Sequence, residues 1–479
     1  MTTSLKQAIN VANFARHNCP AYKKFLNRRG LKLDSISLSN IFFRLPLTEK
    51  KTFIKKNQIG ELLTNRKSPL FASASSGSSG EPTFWFRNSE QEAAGGQIHE
   101  KIFKDVFEIE KTEKTLAVIC FSMGVWIAGS FTASSCRWLS ESKGYNITTI
   151  TPGLELRDVL HILKNLAPNF ETIVLTGYPA FVMDILFEAK KQKIRLPKKI
   201  KLLTAGDSFS ENWRKQVATL IDTTKPSNIL SVYGSADAGV MGFETPLTIF
   251  LRKSAEHNKQ LYLELFGNSD KLPAIFQFDS KKIYFESIDG ELVLTTKTAI
   301  PLIRYNIHDV GKIWEYKKIK TLLIKHNLFK AADKLKLLNW NLPFIIKQGR
   351  TDVAVTFYAL NIYPEHIQAG LSHKKISSTV SGNFLAYNKT KNKNGQENLY
   401  LEIELAKNKN GSGKILNKIT QVILNTLLKV NIEFRKLHNA IGRRAFPKIK
   451  LVKNLNKSTA SFSKTLLSLK GKKPKMLTK

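Results

Sequence analysis

Through the middle of the chain, short β-branched runs alternate with amphipathic stretches. LAVICF (residues 116–121), YNITTIT (145–151), TIVLT (172–176), KLLTA (201–205) and ILSVY (229–233) read as buried strands. Between them apolar residues recur at helical spacing over residues 154–166, 179–191 and 210–220, and a further helix starts near Trp126. Such alternation predicts βαβ units and a largely parallel sheet, because parallel neighbours need a long crossover between them. From about Leu261 the pattern shortens. LYLELF, AIFQF, KIYFES, GELVLTT and LIRYNI read as strands with turns between them, antiparallel elements appended to the α/β body. After Gly349-Arg350 it changes again, with strands expected at residues 353–357 and 431–434, helices at 364–371 and 415–430, and a loop at 407–413. The fold expected is α/β: a large N-terminal domain over residues 1–351 with parallel α/β sheets and appended antiparallel β elements, then a small C-terminal α+β domain over 352–479.

Composition narrows the class. With 42% apolar and 24% charged residues in 479, the chain is neither disordered, collagen-like nor coiled coil, and no repeat at solenoid spacing is seen. Three cysteines in 479 residues, Cys19, Cys120 and Cys136, exclude a disulfide framework and fit a reducing compartment, and without C-x-x-C spacing no structural zinc site built from cysteine is expected. The N-terminus reads as a short amphipathic helix, broken by Lys6, Arg16 and His17, without the apolar core of a secretory signal. Residues 115–136 carry no charge and are long enough to cross a bilayer. Ser122, Gly124, Gly129, Ser130, Thr132, Ser134 and Ser135 dilute the run, so it reads as strand, turn and helix. No membrane span and a cytoplasmic location are expected.

The charge is the unusual number: 75 Lys+Arg against 38 Asp+Glu gives +37. A polyanion partner is one reading. Compositional drift toward lysine is the other, and the scatter of Lys50-Lys51, Lys190-Lys191, Lys198-Lys199 and Lys281-Lys282 along the chain favours it. No specific nucleic-acid partner is expected.

Candidate chemistry begins at Ser75-Ser76-Gly77-Ser78-Ser79-Gly80, bracketed by β-type residues. Glycines so placed let a loop turn inward and present N–H groups, with serine hydroxyls beside them, to phosphate oxygens. A flexible linker is the other reading, which Pro82 and the aromatic run Phe84-Trp85-Phe86 disfavour. Tyr233-Gly234-Ser235-Ala236-Asp237 follows a buried strand, at the carboxyl end where open α/β sheets bind ligands. Gly206-Asp207, Asp309, and Gly349-Arg350-Thr351-Asp352 are each ambiguous alone, since Asp and Gly at loop ends serve turns and caps too.

Taken in order, these segments resemble the adenylate-forming superfamily of acyl-CoA synthetases, luciferases and peptide-synthetase adenylation domains, in particular its phenylacetate–CoA ligase-like and capsule-biosynthesis ligase-like branch. SSGSSGEPT resembles the phosphate loop, YGSADAG the Tyr-Gly-x-Ser/Thr-Glu motif, and PLIRYNIHDVG the Arg-Tyr-x-x-x-Asp motif. GRTDVAVTFYALNIYPEHI resembles the Gly-Arg-x-Asp…Asn-Ile-Tyr-Pro-x-x-Ile block, and CPAYKKFL…LPLTEK the leader of that branch. The resemblance implies that a carboxylate attacks ATP to give acyl-AMP, and that the acyl group then passes to an acceptor, most often coenzyme A. It implies that Ser75, Ser76, Gly77, Ser78, Ser79 and Gly80 hold the β/γ-phosphates and that Asp237 ligates Mg²⁺. Tyr233, Gly234, Ser235, Gly206 and Asp207 would line the nucleotide pocket, Asp309 would accept from ribose hydroxyls, and Arg350 would reach ribose or phosphate. Asp352 would be the hinge about which a mobile C-terminal domain turns, and Lys472, in Gly471-Lys472, the C-terminal lysine of adenylation.

Four departures stand out. Asp237 is one methylene shorter than the family's Glu. Tyr358-Ala359 replace the usual Arg-Gly, so the Ala359 methyl narrows the expected pantetheine path. The lysine must be chosen among Lys464, Lys470, Lys472 and Lys473. Residues 312–347 are longer than the branch usually has there. No cysteine occurs in residues 243–257, so no zinc site is expected after the Tyr-Gly motif. Residues Phe121–Trp126, Tyr178-Pro179 and those after Ala238 are expected to form a pocket for an apolar or aromatic acid, ordinary core packing being the other reading of their aromatic side chains. An amine, hydroxyl or carrier-protein acceptor is the alternative to coenzyme A, and a degenerate basic scaffold the alternative to an enzyme.

Overall fold

The computed structural model describes residues 2–31, 39–64, 70–75, 83–267, 269, 272–350, 355–390, 396–406, 408–455, 465–466 and 475–476. A hairpin of β1 (Leu70–Ser75) and β2 (Thr83–Asn88) comes first. The β-branched runs follow as β3 (Thr115–Cys120), β4 (Ile147–Ile150), β5 (Thr172–Gly177), β6 (Lys199–Ala205) and β7 (Ile229–Ser235). These five pair in parallel in the order β4-β3-β5-β6-β7. Helices Ile127–Lys143, Leu156–Asn165, Pro179–Lys191 and Glu211–Leu220 make the crossovers. All six side chains of β3 and of β5 are buried, as expected of strands covered on both faces.

The later strands continue the same sheet rather than forming one of their own. They are β8 (Gly239–Phe243), β9 (Ala274–Gln277), β10 (Ile283–Ile288), β11 (Glu291–Thr296), β12 (Leu302–Trp314) and β13 (Phe344–Arg350). They add antiparallel to β7 in the order β8-β9-β13-β12-β11-β10, giving eleven strands among the described residues. LYLELF, expected as a strand, is instead the helix Lys259–Phe266. Asn258 caps it by accepting from the Leu261 N–H at 3.0 Å, and Leu261, Leu265 and Phe266 are buried. Leu263, which a strand's alternation would bury, is 44% exposed. The period-2 pattern was present, but the cap and the helical neighbours decided the outcome.

Residues 312–347 are the end of β12, helices Tyr316–Lys325 and Phe329–Lys334, and the start of β13. Ile319, Leu322, Leu323 and Ala332 pack against Leu247, Leu251, Leu261 and Leu265. The excursion thus covers one face of the antiparallel half and returns as a strand.

Beyond it, β14 (Val355–Phe357) and β15 (Leu360–Ile362) form a tight hairpin, and β16 (Val380–Thr390), β17 (Glu397–Leu405) and β18 (Lys448–Val452) a small mixed sheet. Helices Pro364–Leu371, Gly413–Val430 and Ile432–Ile441 pack on it around Phe357, Ile367, Phe384, Leu401, Ile423 and Phe434, a core that takes only Ala180 from the preceding elements. Residues 431–434, expected as a strand, open the last of these helices. The Asn431 carboxamide accepts from the Phe434 N–H at 2.9 Å, an N-cap that competes successfully with the β-branched neighbours.

Among the described residues no helix is long and apolar enough to cross a membrane. Cys19, Cys120 and Cys136 are buried free thiols.

Candidate active site

The carboxyl end of β6 turns at Gly206, whose φ of +88° and contacts require glycine: a Cβ there would stand 2.8 Å from Ala359 Cβ and 3.0 Å from the Tyr178 ring. Asp207 accepts from the Ser208 N–H at 2.7 Å, so its carboxylate shapes the turn while bordering the cavity. Next in the sheet, β7 delivers Tyr233, Gly234 and Ser235, and the Ser235 hydroxyl accepts from the Ala238 N–H at 3.2 Å to close the loop that presents Asp237. A buried ionic cluster anchors β7 from behind. The Glu244 carboxylate accepts from the Ser231 N–H at 2.8 Å and from Arg214 at 2.7 Å, while Glu211 accepts from both Arg214 and Arg252. Such a cluster fixes position more than it adds stability.

Asp309 arrives on β12, where Tyr305, Ile307 and Asp309 alternate toward one face. Its side chain is 3% exposed, and in the strand pairing Asp309 lies opposite Arg350 of β13. Four groups converge. The Tyr233 phenol donates to Asp309 Oδ2 at 2.5 Å, Arg350 donates to Oδ1 at 3.4 Å, and Lys347 Nζ stands 3.6 Å from Oδ1. Burial first, then the Asp309 charge, pushes the Tyr233 phenol well above its ordinary range, so it remains a donor. Phe276 stacks on the Tyr233 ring at 5.5 Å and holds it in place.

Asp237 has partners that the sequence reading did not find. The Tyr305 phenol donates to its Oδ2 at 2.6 Å, and Lys50 Nζ lies 3.4 Å from its Oδ1. Lys50 comes from the far N-terminal segment through a strap. The Thr48 N–H donates to Arg304 O at 3.1 Å, and the Asn306 N–H donates back to Thr48 O at 2.9 Å, so Thr48 is pinned to β12 and Lys50 follows in the turn after it. From there Lys50 also donates to the Ser75 hydroxyl at 3.3 Å, which accepts from the Trp85 indole at 3.0 Å. Ser75 ends β1, and the Ala74 N–H donates to Val125 O at 2.7 Å, which ties that hairpin to the body.

One cavity of about 260 Å³ is bordered by Ser75, Gly206, Asp207, Tyr233, Gly234, Ser235, Asp237, Asp309 and Arg350, together with Lys50 and Lys347. The structure therefore brings together every described residue of the expected set. Ser76, Gly77, Ser78, Ser79, Gly80, Asp352 and Lys472 lie outside the described residues. Phe121, Trp126, Tyr178, Phe131 and Val240 make an apolar wall, in line with the expected acid pocket except that Phe131 was not foreseen. Three of the missed residues carried partial signals. Lys50 closes the LPLTEK block, Tyr305 stands four residues before Asp309 in a strand, and Lys347 lies three before Arg350. None of the spacings reveals the partner.

The far rim comes from the C-terminal elements: Thr356, Ala359, Asn361, Tyr363 and Glu433. Tyr358 and Ala359 form the two-residue turn between β14 and β15, with φ of +48° and +62°. This twist suits hairpins but normally selects Asn-Gly. Here the Tyr358 phenol, 1% exposed as a residue, bonds to Asp184 Oδ2 at 3.3 Å, its N–H donates to Glu397 at 2.7 Å, and Arg444 donates to Asp184 at 2.9 Å.

The cavity can meet a large anion with Lys50, Lys347 and Arg350 and offers the carboxylates of Asp207, Asp237, Asp309 and Glu433 as oxygen acceptors. Among the described residues no three His, Cys, Asp or Glu cluster as a self-sufficient metal site. Asp237 alone suits a hard cation that takes its remaining ligands from phosphate and water.

No protein-family model and no curated protein matches the sequence. Solved structures do match. A 2-hydroxyisobutyryl-CoA ligase with 2-hydroxyisobutyryl-AMP and coenzyme A, in its thioesterification state, superposes with a TM-score of 0.64 at 15% identity, covering 96% of this chain and 87% of that one. The same ligase in the post-adenylation state with 2-hydroxyisobutyryl-AMP gives 0.53 at 15% identity over 96% and 87%. Its open conformation gives 0.53 at 15% identity over 96% and 89%. The chain therefore has the mixed α/β fold of these AMP-forming ligases.

Proposed function

We propose that the chain is an ATP-dependent, AMP-forming carboxylate ligase of the adenylate-forming superfamily. The observation that carries this reading is the convergence of Ser75, Tyr233, Asp237, Asp309 and Arg350, spread over some 275 positions, on one cavity. A carboxylate oxygen attacks the α-phosphorus of ATP, the bond to the β-phosphate oxygen breaks, and pyrophosphate leaves. A nucleophile then attacks the acyl carbon, loses its proton, and expels AMP.

In this reading Asp309 accepts from the ribose hydroxyls, while Tyr233, Gly234, Ser235, Gly206 and Asp207 surround the base. Ser75 to Gly80 receive the β/γ-phosphates, and Arg350 reaches ribose or phosphate. Lys50 and Lys347 add positive charge where triphosphate and carboxylate would otherwise repel. Asp237 is the residue suited to hold Mg²⁺, which when bound would screen the triphosphate. Lys472 supplies a further cation during adenylation, and Asp352 is the hinge between a domain of residues 1–351 and one of 352–479. The branch assigned is the phenylacetate–CoA ligase-like one, and the free thiols support a cytoplasmic setting.

Coenzyme A is the acceptor in this reading, by analogy with the matched ligase, whose structures include complexes with coenzyme A. One observation favours a smaller acceptor such as an amine: the Ala359 methyl reaches against Gly206, at the rim where an extended thiol arm would pass. Pyrophosphate release with a panel of carboxylic acids tests the adenylation step, and adding coenzyme A or amines separates the acceptors. Acid-dependent release is the expected result. A folded protein that neither binds ATP nor exchanges pyrophosphate overturns the proposal.

A further inference from the structure

A second cavity, of about 910 Å³, lies behind the first, between the N-terminal helix Thr3–Asn18, the helix Ser89–Lys101 and β8. The two share Phe131, Gly239 and Val240 as lining residues, so a single side chain and a stretch of β8 divide them. Phe131 is 6% exposed, and its ring is clamped. It fills a notch at Gly95, where a Cβ would stand 2.2 Å from the ring's Cζ, and a Cβ at Gly239 would come within 3.9 Å of the same atom. The Arg87 guanidinium sits 5.2 Å over the ring, held by Glu92 at 2.7 Å and Ser73 at 3.1 Å. His99 meets the ring edge-on at 6.5 Å, its Nδ1 bonded to Gly95 O at 2.9 Å. A ring gripped from these sides is a wall rather than a swinging gate.

The rings of Phe121, Trp126 and Phe131 supply the apolar part of the first cavity's lining, so an apolar acid tail is directed toward them. The first cavity falls at the small end of the range for ligand pockets and must also take a nucleotide, whereas the second falls at the large end. We infer that Phe131 is the specificity-determining residue that ends the acid pocket, so that the protein selects short carboxylic acids and the ring divides that pocket from a wider, partly polar groove that opens to solvent at Thr3, Lys6, Gln7, Asn10 and Lys281. The inference rests on the adenylation reading and adds the substrate class to it.

The test measures binding of 5′-O-(N-acylsulfamoyl)adenosines, from acetyl to dodecanoyl, by calorimetry, with AMP alone as reference. In the wild type, affinity should drop about ten- to hundredfold once the chain outgrows the pocket and meets the ring. Phe131→Ala should join the cavities, remove that drop, and let each further methylene tighten binding about fourfold. Phe131→Leu should give an intermediate cut-off and keeps the test open if the alanine variant melts early. Gly95→Ala, which drives the ring toward the acid, should shorten the cut-off. An unchanged cut-off in both Phe131 variants, or wild-type protein that takes dodecanoyl as readily as butanoyl, overturns the inference while AMP binding leaves the nucleotide site standing. Loss of AMP binding itself in the wild type would instead strike the adenylation reading, and this inference with it.

Discussion

The wall that carries Tyr233, Asp309, Lys347 and Arg350 stands on strands of the central sheet, each side chain fixed by ladder pairing and by its neighbours. The opposite wall, with Thr356, Ala359 and Asn361, stands on a hairpin of two three-residue strands whose turn uses unfavourable residues. A non-glycine residue in left-handed backbone costs about 1–2 kcal/mol, and Tyr358 and Ala359 both adopt it. The bonds from Tyr358 to Asp184 and Glu397 offset that cost, and the first of them reaches the helix Pro179–Lys191 of the body. One wall is therefore placed by its own sheet, and the other by what it leans on. That contrast suits a reaction in which the nucleotide stays and the acceptor arrives.

The harshest way to break the contrast is Asp309→Ala. It removes the acceptor that the Tyr233 phenol, Lys347 and Arg350 share. Acid-dependent pyrophosphate release should fall at least about a hundredfold, and urea denaturation should register a loss of about 3 kcal/mol. Lys50→Met comes next. It keeps the length of the side chain while removing the charge beside Asp237 and Ser75, and kcat for pyrophosphate release should fall about tenfold with the melting temperature nearly unchanged. If Lys50→Met leaves kcat as it was, the strap is a packing feature only.

Much of the rigid wall was legible because its motifs end strands, and strand ends in such sheets are where ligands sit. Tyr233, Asp237, Asp309 and Arg350 are singled out by the order of their motifs and its resemblance to the adenylate-forming superfamily, none of them being specific alone. Their partners are not, since Lys50, Tyr305 and Lys347 become neighbours only through the strap, the strand alternation and the pairing of β12 with β13. Two short segments were misread for a related reason. In residues 261–266 and 431–434 the local pattern allowed a strand, and single asparagines, Asn258 and Asn431, started helices instead. The second cavity left no sequence signal, because Phe131 and Gly95 meet by the packing of two helices separated by β3, which no spacing reveals.

The leaning wall yields gentler effects. Burial raises the Asp184 carboxyl to about 6, against the lowering pull of Arg444 and of the Tyr358 hydrogen bond. The folded protein thus holds this proton more tightly than the unfolded chain, whose carboxyl titrates near 3.8. The resulting stabilisation is complete below about 3.8 and is lost as pH rises through about 6. Melting temperatures measured across that window should decline more steeply in the wild type than in Asp184→Asn, which has no proton to lose. Equal slopes would remove Asp184 from the account. Smallest of all is Ala359→Gly, which relieves one strained residue. It should stabilise by about 1 kcal/mol in denaturant melts and, if the methyl obstructs the acceptor, raise turnover with coenzyme A a few-fold without changing pyrophosphate release.

The strap at residues 48–50 has a consequence for how the molecule would fail. The ammonium group beside Asp237 is borne by a segment from the amino end, fastened to β12 by reciprocal backbone hydrogen bonds at Thr48. Peeling the strap from β12 would withdraw a charge from the heart of the crevice, whereas trimming the whole end would also take Leu5, Ile9, Tyr22, Phe25 and Phe53 out of the core they share with the sheet, so silence and collapse have separate causes in the same segment.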